Sequence, residues 1–312
     1  MKRRLFPALL ALCLAAGLLS GCGQQNGTQG PAPVGDDSFS VVDMRGREVT
    51  FDHVPKTIAA LQASDVEVLY AIGAGDQLMG VGEYCNYPAD AQQKAVLASG
   101  GNTNIEQIIS LAPDVLVVGK MAQTTQQVQQ LTDAGIPVVM TDPQDIEGTY
   151  EAIQLMGRIT GREKEARNLV DQMKDGFDVI RQKAHGGDLT VYFEVSPLEY
   201  GLWAAGGNTF MEELCDMLGA RNIFSDIDGW QQVSEEQVLE RDPDVIITVT
   251  MYAGEGPTPV EEIAARPGWQ NVKAVQNGRI YQADNDELTR PGPRLVDAAE
   301  ALYGFLYEDT AA

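Results

Sequence analysis

The sequence predicts an α/β protein of two Rossmann-like lobes with mainly parallel sheets, joined by one long α-helix and enclosing a ligand cleft. An internal repeat is the first observation: NIEQIISLAPDVLVV at 104–118 returns as SEEQVLERDPDVIIT at 234–248. Each copy has the pattern of a short helix, a Pro-Asp turn and a buried strand. Two copies this far apart indicate two similar lobes, because solenoid units repeat roughly every 20–50 residues. Strands and helices also alternate in each half, which is typical of a parallel sheet covered on both faces.

The first lobe is predicted over residues 40–160. Ser64 and Glu67 have the spacing of a capping box at a helix start, and so do Thr103 and Glu106. The predicted elements are a hairpin at 40–51, strands at 57–61, 78–82, 115–119 and 138–141, and helices at 64–72, at the start of the first repeat copy, at 123–134 and at 145–159.

A long helix is predicted at 161–185, between the two lobes. No stretch rich in Gly, Ser or Pro separates the lobes. Such a helix is stiffer than a hinge of two or three strands, so we expect only modest closure of the lobes around a ligand. Its apolar residues fall on one face and are Leu169, Val170, Met173, Phe177 and Ile180.

The second lobe is predicted over residues 186–312. Thr209 and Glu212 again have capping-box spacing at a helix start. The same order of parts in both lobes indicates a duplication. The predicted elements are a strand at 189–195, a helix from Thr209 that ends near 218–220, the second repeat copy, a segment containing Trp269, a strand at 279–283 and a final amphipathic helix near 293–307.

Residues 1–21 have the pattern of a secretory signal peptide. A basic segment at 2–4 precedes an apolar run, and the tetrapeptide LSGC ends at Cys22. The apolar run is shorter than the roughly 20 residues that a membrane span needs. LSGC resembles a bacterial lipoprotein signal, in which the cysteine is lipidated. We therefore expect an extracytoplasmic protein, anchored to the cell membrane through lipid on Cys22 and a flexible tether at 22–39.

The charge balance argues against a nucleic-acid partner. The chain has 22 Lys and Arg residues against 45 Asp and Glu residues, for a formal net charge of −23. Binding to a phosphate backbone needs clustered Lys and Arg, which this composition does not favour. An acidic surface instead keeps a protein soluble and non-adhesive.

Residues that would carry enzyme chemistry or hold a metal ion are scarce. The two histidines, His53 and His185, lie in polar connecting stretches, and no Gly-x-Ser-x-Gly, HExxH or Walker A motif occurs. Capture of a bare transition metal would need several converging His and carboxylate ligands. Cys85 and Cys215 fall in different lobes, so we expect two separate buried thiols rather than a disulfide. The sequence therefore predicts a monomer without catalytic residues, a metal site or a cofactor.

A ligand cleft is expected where the carboxyl ends of the parallel strands face each other. Residues just after the predicted strands are aromatic with a few charges, which suits a flat or chelated organic ligand. For any single aromatic residue, ordinary loop packing is the alternative. The candidate ligand-binding residues are Tyr84, Tyr87, Lys120, Met121, Tyr200, Trp203, Trp230, Tyr252, Glu287 and Arg290.

Several motifs resemble the helical-backbone class (class III, periplasmic-binding-protein-2-like) of solute-binding lipoproteins of ABC importers, which serve ferric siderophores, cobalamin and haem. The resemblance covers about residues 40–308, and 84–88 and 233–239 look most like the vitamin B12-binding members. The motifs are GEYCNYP at 82–88, NIE at 104–106, PDV at 113–115, WQQVSEE at 230–236 and RPGPR at 290–294.

The resemblance implies an ABC permease dimer with its ATPase as the partner. In this family one exposed glutamate on each lobe docks onto arginines of the permease subunits, and these fall on Glu106 and Glu236. The alternative is that both glutamates merely complement a helix dipole and cap, for about 0.3–1 kcal/mol.

The ligand stays open between a ferric siderophore, a corrinoid such as cobalamin, and haem. The B12-binding members have two tryptophans where this chain has Gly100 and Gly119-Lys120. Lys120 and Arg290 would suit an anionic ferric chelate, the loop of Tyr84 favours a corrinoid, and Tyr84 or Met121 could ligate haem. Two alternatives to a solute-binding protein are that the chain is a two-lobed α/β metalloenzyme subunit or a lipoprotein with a protein-binding cleft.

Overall fold

The computed structural model describes residues 37–100, 103–119, 125–184, 187–252, 254 and 256–308. The signal peptide predicted at 1–21, Cys22, nearly all of the predicted tether, Lys120, Met121 and His185 lie outside the described residues. No helix in the described ranges is long and apolar enough to cross a bilayer.

The first lobe is built on a parallel sheet that follows a small antiparallel hairpin. The hairpin strands are β1 (Phe39–Val42) and β2 (Glu48–Phe51). The sheet strands are β3 (Ile58–Ala60), β4 (Leu78–Gly82), β5 (Ala95–Leu97), β6 (Val115–Gly119) and β7 (Val138–Thr141). Their order in the sheet is β5-β4-β3-β6-β7, and every neighbouring pair is parallel. The helices of this lobe are α1 (Ala63–Ala71), α2 (Ile105–Leu111), α3 (Thr125–Asp133) and α4 (Ile146–Thr160).

A long helix, α5 (Glu163–Lys183), follows the last strand of the first sheet and precedes the first strand of the second. It packs against α4 and against a helix of the second lobe, Leu295–Tyr303. Its buried face agrees with the predicted apolar positions, except that Leu169 is only partly buried. The buried residues are Ala166, Val170, Met173, Phe177 and Ile180.

The second lobe is built on a mixed sheet. The strands are β8 (Thr190–Glu194), β9 (Trp203–Ala205), β10 (Arg221–Asn222), β11 (Trp230–Gln232), β12 (Val245–Thr248) and β13 (Ile280–Gln282). The path is β11-β9-β8-β12-β13, with β10 also beside β8, and β9 and β11 pair antiparallel. The helices are α6 (Phe210–Met217), α7 (Glu235–Arg241), α8 (Pro259–Ala265), α9 (Lys273–Gln276), α10 (Asn285–Thr289) and α11 (Leu295–Tyr303).

The two repeat copies occupy equivalent places in the two sheets. β6 lies between β3 and β7, and β12 lies between β8 and β13. The repeated aspartate fastens each copy to the neighbouring strand: Asp114 Oδ2 accepts from the backbone N–H of Lys56 (2.8 Å) and Thr57 (3.0 Å). Asp244 Oδ2 accepts from the backbone N–H (2.9 Å) and hydroxyl (2.8 Å) of Thr190. The two-lobed α/β fold predicted from the repeat is confirmed.

The capping boxes predicted for the first lobe are wrong. Helix α1 has no side-chain cap, and Ser64 and Glu67 are both buried. Helix α2 is capped by Asn104, which accepts from the backbone N–H of Gln107 at 3.0 Å. Thr103 instead donates its hydroxyl to the Gly100 carbonyl at 2.7 Å. The spacing alone did not distinguish a cap from a side chain that binds elsewhere.

In the second lobe the helix start predicted at Thr209 agrees with the structure. Thr209 caps α6 by accepting from the backbone N–H of Glu212. Ser234 and Gln237 form a reciprocal capping box at the start of α7. The sequence missed the short elements β5, β9, β10, β11, α8, α9 and α10, because runs of two to seven residues are too short to show a hydrophobic period.

Both cysteines in the described residues are free and buried, as predicted. Burial raises the pKa of the Cys85 thiol to about 12, so it is neutral at physiological pH. Each thiol packs as a small hydrophobe within the main core.

A buried acid in α1 makes the folded state sensitive to pH. Asp65 is 2% exposed, and burial raises its pKa from 3.8 to about 7, although the Thr141 hydroxyl donates to it at 3.0 Å. The folded state therefore favours the neutral carboxyl. Stability from this group is fully present below pH 3.8 and falls as the pH rises from there to about 7.

Replacing Asp65 with asparagine should remove this pH-dependent loss of stability. The unfolding free energy of Asp65→Asn, minus that of the wild type, should increase by roughly 3–5 kcal/mol between pH 4 and pH 8. Urea unfolding at both pH values measures the difference. An equal difference at pH 4 and pH 8 would show that Asp65 titrates normally in the folded protein.

Candidate functional site

A cleft lies between the lobes, at the carboxyl ends of the strands. It contains two adjoining cavities of about 510 and 270 Å³, which share Gln62, Ser64, Thr289 and Pro291 in their walls. Gln62 and Ser64 follow β3 in the first lobe. Thr289 is the last residue of α10 in the second lobe, and Pro291 follows it. Because both lobes contribute to one wall, a bound molecule would touch both.

The larger cavity is lined mainly by apolar surface and offers few charges among its described residues. Tyr84, after β4, and Met251, after β12, face it and are 72% and 79% exposed. The remaining polar groups are mostly neutral hydroxyls and amides: Gln62, Ser64, Ser99, Asn285 and Thr289. Asp286 and Arg290 are its ionisable groups besides Tyr84.

The smaller cavity has an aromatic wall. Phe210, at the start of α6, and Trp230, on β11, pack with ring centroids 5.7 Å apart. Thr141, at the end of β7, Gln144, after it, and Gly119, at the end of β6, also line this cavity. An aromatic wall together with hydroxyl and amide groups suits a large, partly apolar ligand with polar edges.

An ion cluster joins the lobes beside the larger cavity. Its centre is Glu67 of α1, which is 3% exposed. Arg294 binds Glu67 through two N–H groups, each at 2.8 Å, and Arg290 Nη1 donates to Glu67 Oε1 at 2.8 Å. The charged hydrogen bonds that Arg294 donates to Glu67 raise the pKa of Arg294 above its usual range. Both arginines come from the RPGPR segment, so the contact crosses between the lobes.

The loop after β4 is held by the same cluster. Asn86 accepts from Arg290 at 2.7 Å and donates to Asp286 at 2.7 Å. The guanidinium of Arg294 lies 4.3 Å from the centre of the Tyr87 ring, and the Tyr87–Pro88 peptide bond is cis. The loop that places Tyr84 at the cleft is therefore fastened to the second lobe.

The structure brings some of the predicted ligand-binding residues together at the cleft. Tyr84, Trp230 and Arg290 line its cavities. Tyr87 lies in the adjoining ion cluster, and Glu287 also does, 3.5 Å from Arg294.

Other predicted residues lie outside both cavities. Tyr200 is 73% exposed. Trp203 is 38% exposed, and the β9–β11 register places it on the same face of the sheet as Trp230. The hydroxyl of Tyr252 donates to the Gly256 carbonyl at 3.1 Å.

Arg290 has different partners from those its charge suggested. Its guanidinium contacts Glu67, Asn86, the Tyr84 carbonyl (3.3 Å) and Asp286 (2.7 Å). The expected role as a free cation for an anionic chelate does not match this geometry. Sequence reasoning missed Glu67 because its spacing from Ser64 indicated a cap, and its true partners are over 200 positions away.

Both glutamates of the repeat are exposed. Glu106 lies in the first turn of α2, and Glu236 lies in the first turn of α7. A helix that connects parallel strands runs opposite to them, so the starts of α2 and α7 lie at the cleft end of their lobes. A shallow hollow beside Glu106 includes Ile109, which is 40% exposed.

A further hollow of about 630 Å³ is formed by the sides of α4, α5 and α6. Its walls carry charged helix residues of both signs, among them Glu147, Lys174, Asp178 and Arg181. It includes no strand end, and we therefore place the ligand site at the cleft.

Comparisons with known proteins agree with this geometry. A model of the periplasmic binding protein family matches residues 58–287. The chain is 34% identical over 310 residues to the Bacillus subtilis uncharacterized ABC transporter substrate-binding lipoprotein YvrC, covering 96% of both chains. It is 27% identical over 325 residues to a Halobacterium salinarum cobalamin-binding protein, covering 99% of this chain and 86% of that one.

Solved structures show the same fold. A possible iron-binding, periplasmic solute-binding protein from Staphylococcus epidermidis has 32% identity and a TM-score of 0.70, covering 81% of this chain and 99% of that one. The vitamin B12-binding protein BtuF of Vibrio cholerae has 24% identity and a TM-score of 0.69, covering 83% of this chain and 99% of that one. At that lower identity the likeness shows the fold alone.

The ion cluster should couple the two lobes energetically. A double-mutant cycle of Glu67→Ala and Arg294→Ala should give a coupling energy of about 2–3 kcal/mol, because either single change removes two charged hydrogen bonds from a group that is largely shielded from water. The exposed pair Glu163 and Arg167, 3.5 Å apart on α5, is the matched control and should couple by less than about 0.5 kcal/mol. Denaturant unfolding measures both cycles, and equal coupling energies would contradict the role of the cluster.

Proposed function

The chain belongs to the periplasmic binding protein family, and we propose that it captures a neutral, amide-rich corrinoid in its cleft for an ABC importer. Membership makes it a substrate-binding protein of such an importer, with a permease and an ATPase as partners. The choice of ligand is the proposal. It rests on the neutral hydroxyl and amide groups of the cleft and on an arginine that already has partners.

Two properties of the cleft and the names of two relatives support a corrinoid. A corrinoid has a broad, partly apolar face, which matches the aromatic wall of Phe210 and Trp230. Its edge carries neutral amides, which match Gln62, Asn285 and Thr289. Two relatives, from Halobacterium salinarum and Pectobacterium carotovorum, are named cobalamin-binding and vitamin B12-binding proteins.

A ferric siderophore is the second candidate. One observation favours it: the Staphylococcus epidermidis structure, the more similar of the two structures compared above, is described as possibly iron-binding. A neutral ferric chelate would suit the same hydroxyls and amides. An anionic one would need a free cation, and Arg290, the basic side chain among the described residues that line the larger cavity, is paired.

We propose that the chain works as an extracytoplasmic monomer held at the membrane by lipid on Cys22. The LSGC sequence at 19–22 and the lipoprotein name of the Bacillus subtilis relative support this. A tether over 22–39 would hold the lobes roughly 21–25 Å from the membrane surface. The folded part could then reach a permease in the same membrane.

We also propose that Glu106 and Glu236 dock onto the permease. Both are exposed, both lie at the cleft end of their lobes, and the repeat relates one to the other. Two acids at equivalent places suit two permease subunits that carry basic groups. The cleft would then open towards the membrane channel.

Titration with cyanocobalamin tests the ligand. Residues 23–312 should bind it with a dissociation constant on the order of micromolar or tighter, with a change in tryptophan fluorescence. Trp230→Phe should remove most of that change, because Trp230 is the tryptophan that lines the cleft. Trp203→Phe is the matched control and should keep most of it. Binding of a ferric chelate without binding of cyanocobalamin would overturn the corrinoid proposal.

Charge reversal tests the docking surface. Glu106→Arg combined with Glu236→Arg should abolish uptake in cells, because like charges would then face each other, while ligand affinity is kept. Glu165→Arg, at an exposed site on α5, is the control and should leave uptake intact. Should the double variant lose ligand affinity, the two glutamates would belong to the ligand site instead.

A further inference from the structure

Four polar contacts occupy the guanidinium of Arg290. Nη1 donates to Glu67 and Asn86 at 2.8 and 2.7 Å, and Nη2 contacts Asp286 at 2.7 Å and the Tyr84 carbonyl at 3.3 Å. An arginine has five N–H donors in all. A ligand carboxylate or catecholate at the cleft would therefore compete with carboxylates that the fold already holds in place.

The charges of the cluster do not favour an anion either. Glu67, Asp286 and Glu287 face Arg290 and Arg294, so three carboxylates meet two guanidinium groups and one negative charge remains. Glu67 is almost fully buried, and it binds both arginines at 2.8 Å. Removing that one carboxylate would change the charge at the edge of the cavity from negative to neutral.

Building on the proposed function, we propose that Glu67 is a specificity-determining residue: by neutralising Arg290 and Arg294 it excludes anionic chelates and leaves the cleft to neutral ones. Glu67 does not line the cavity. It acts through Arg290, which does, and which is 13% exposed at its side chain. Asp286, in the cavity wall, supplies the second carboxylate.

A purely structural role for Glu67 makes a different prediction. If Glu67 only clamped the lobes, its loss would weaken the binding of every ligand together. If it sets the charge of the cleft, its loss changes the preference between ligands of the same shape and different charge. The ratio of two affinities separates the two roles, because a change in stability or lobe position cancels from it.

Cyanocobalamin and its tricarboxylate, in which three peripheral amides are hydrolysed, are a matched pair of probes. The wild type should prefer cyanocobalamin. The ratio of tricarboxylate to cyanocobalamin affinity should rise about tenfold in Glu67→Gln, and further in Glu67→Gln with Asp286→Asn, as each negative charge is removed. The increase should shrink in high salt, because the carboxylates of the bound tricarboxylate lie in a solvated cavity, where salt screens their interaction with the cluster. Calorimetric titration of the full chain measures both affinities.

Control variants keep the result clear. Glu163→Gln removes one negative charge from exposed surface on α5 and should leave the ratio unchanged. Asp286→Asn alone should raise the ratio about tenfold, and it tests the proposal if Glu67→Gln does not fold. An unchanged ratio in these cleft variants, or an equal loss of both affinities, would overturn the role of Glu67.

The proposed function can fail separately. If the wild type does not bind cyanocobalamin, the corrinoid proposal is wrong. The same variants are then titrated with a neutral ferric tris-hydroxamate and an anionic ferric tris-catecholate. A rise in the catecholate-to-hydroxamate ratio would support the role of Glu67 for either ligand class, and an unchanged ratio would overturn it.

Discussion

The buried carboxylate of Glu67 constrains the arrangement of the whole cleft. A charged group that is 3% exposed must be paired and hydrogen-bonded, and both partners of Glu67 come from the other lobe. Helix α1 and the start of α11 must therefore meet at this point. Arg290 and Asn86 extend the contact to the loop that carries Tyr84. The cavity wall and the junction between the lobes thus share the same side chains.

Because the cavity wall and the junction between the lobes share side chains, only some motions of the lobes are compatible with ligand binding. Opening the lobes at the cluster would expose Glu67 and separate it from two guanidinium groups, which is costly for buried ion pairs. Helix α5 is a second continuous connection, packed against α4 and α11. With both in place, closure around a ligand should be small. A cleft of nearly fixed shape selects its ligand by fit and charge more than by wrapping around it.

The sequence predicted the features that depend on local pattern or on the repeat. The buried strands β6 and β12 and the face of α5 follow hydrophobic periodicity, and the repeat implied two lobes. Features that depend on distant partners were not predictable. Glu67 is separated from Arg290 by 223 positions, so its neighbours in sequence hold no sign of the pair. The antiparallel strands β9 and β11 have three residues each, too few for an alternation to stand out.

The repeat itself distinguishes residues that the fold needs from residues that it does not. In both copies the aspartate after the proline fastens the strand, and in both copies a glutamine at the third helical position belongs to the cap. The backbone N–H groups of Gln107 and Gln237 donate to the cap residues Asn104 and Ser234. The Glu236 carboxylate also accepts hydrogen bonds from its own backbone N–H and from Ser234, which lower its pKa. Beyond that contact, the local role of the two glutamates is to complement the helix dipole, for about 0.3–1 kcal/mol. Both glutamates are exposed at the cleft end of their lobes, and both contribute little to the stability of the fold. These two properties support their assignment to an external partner.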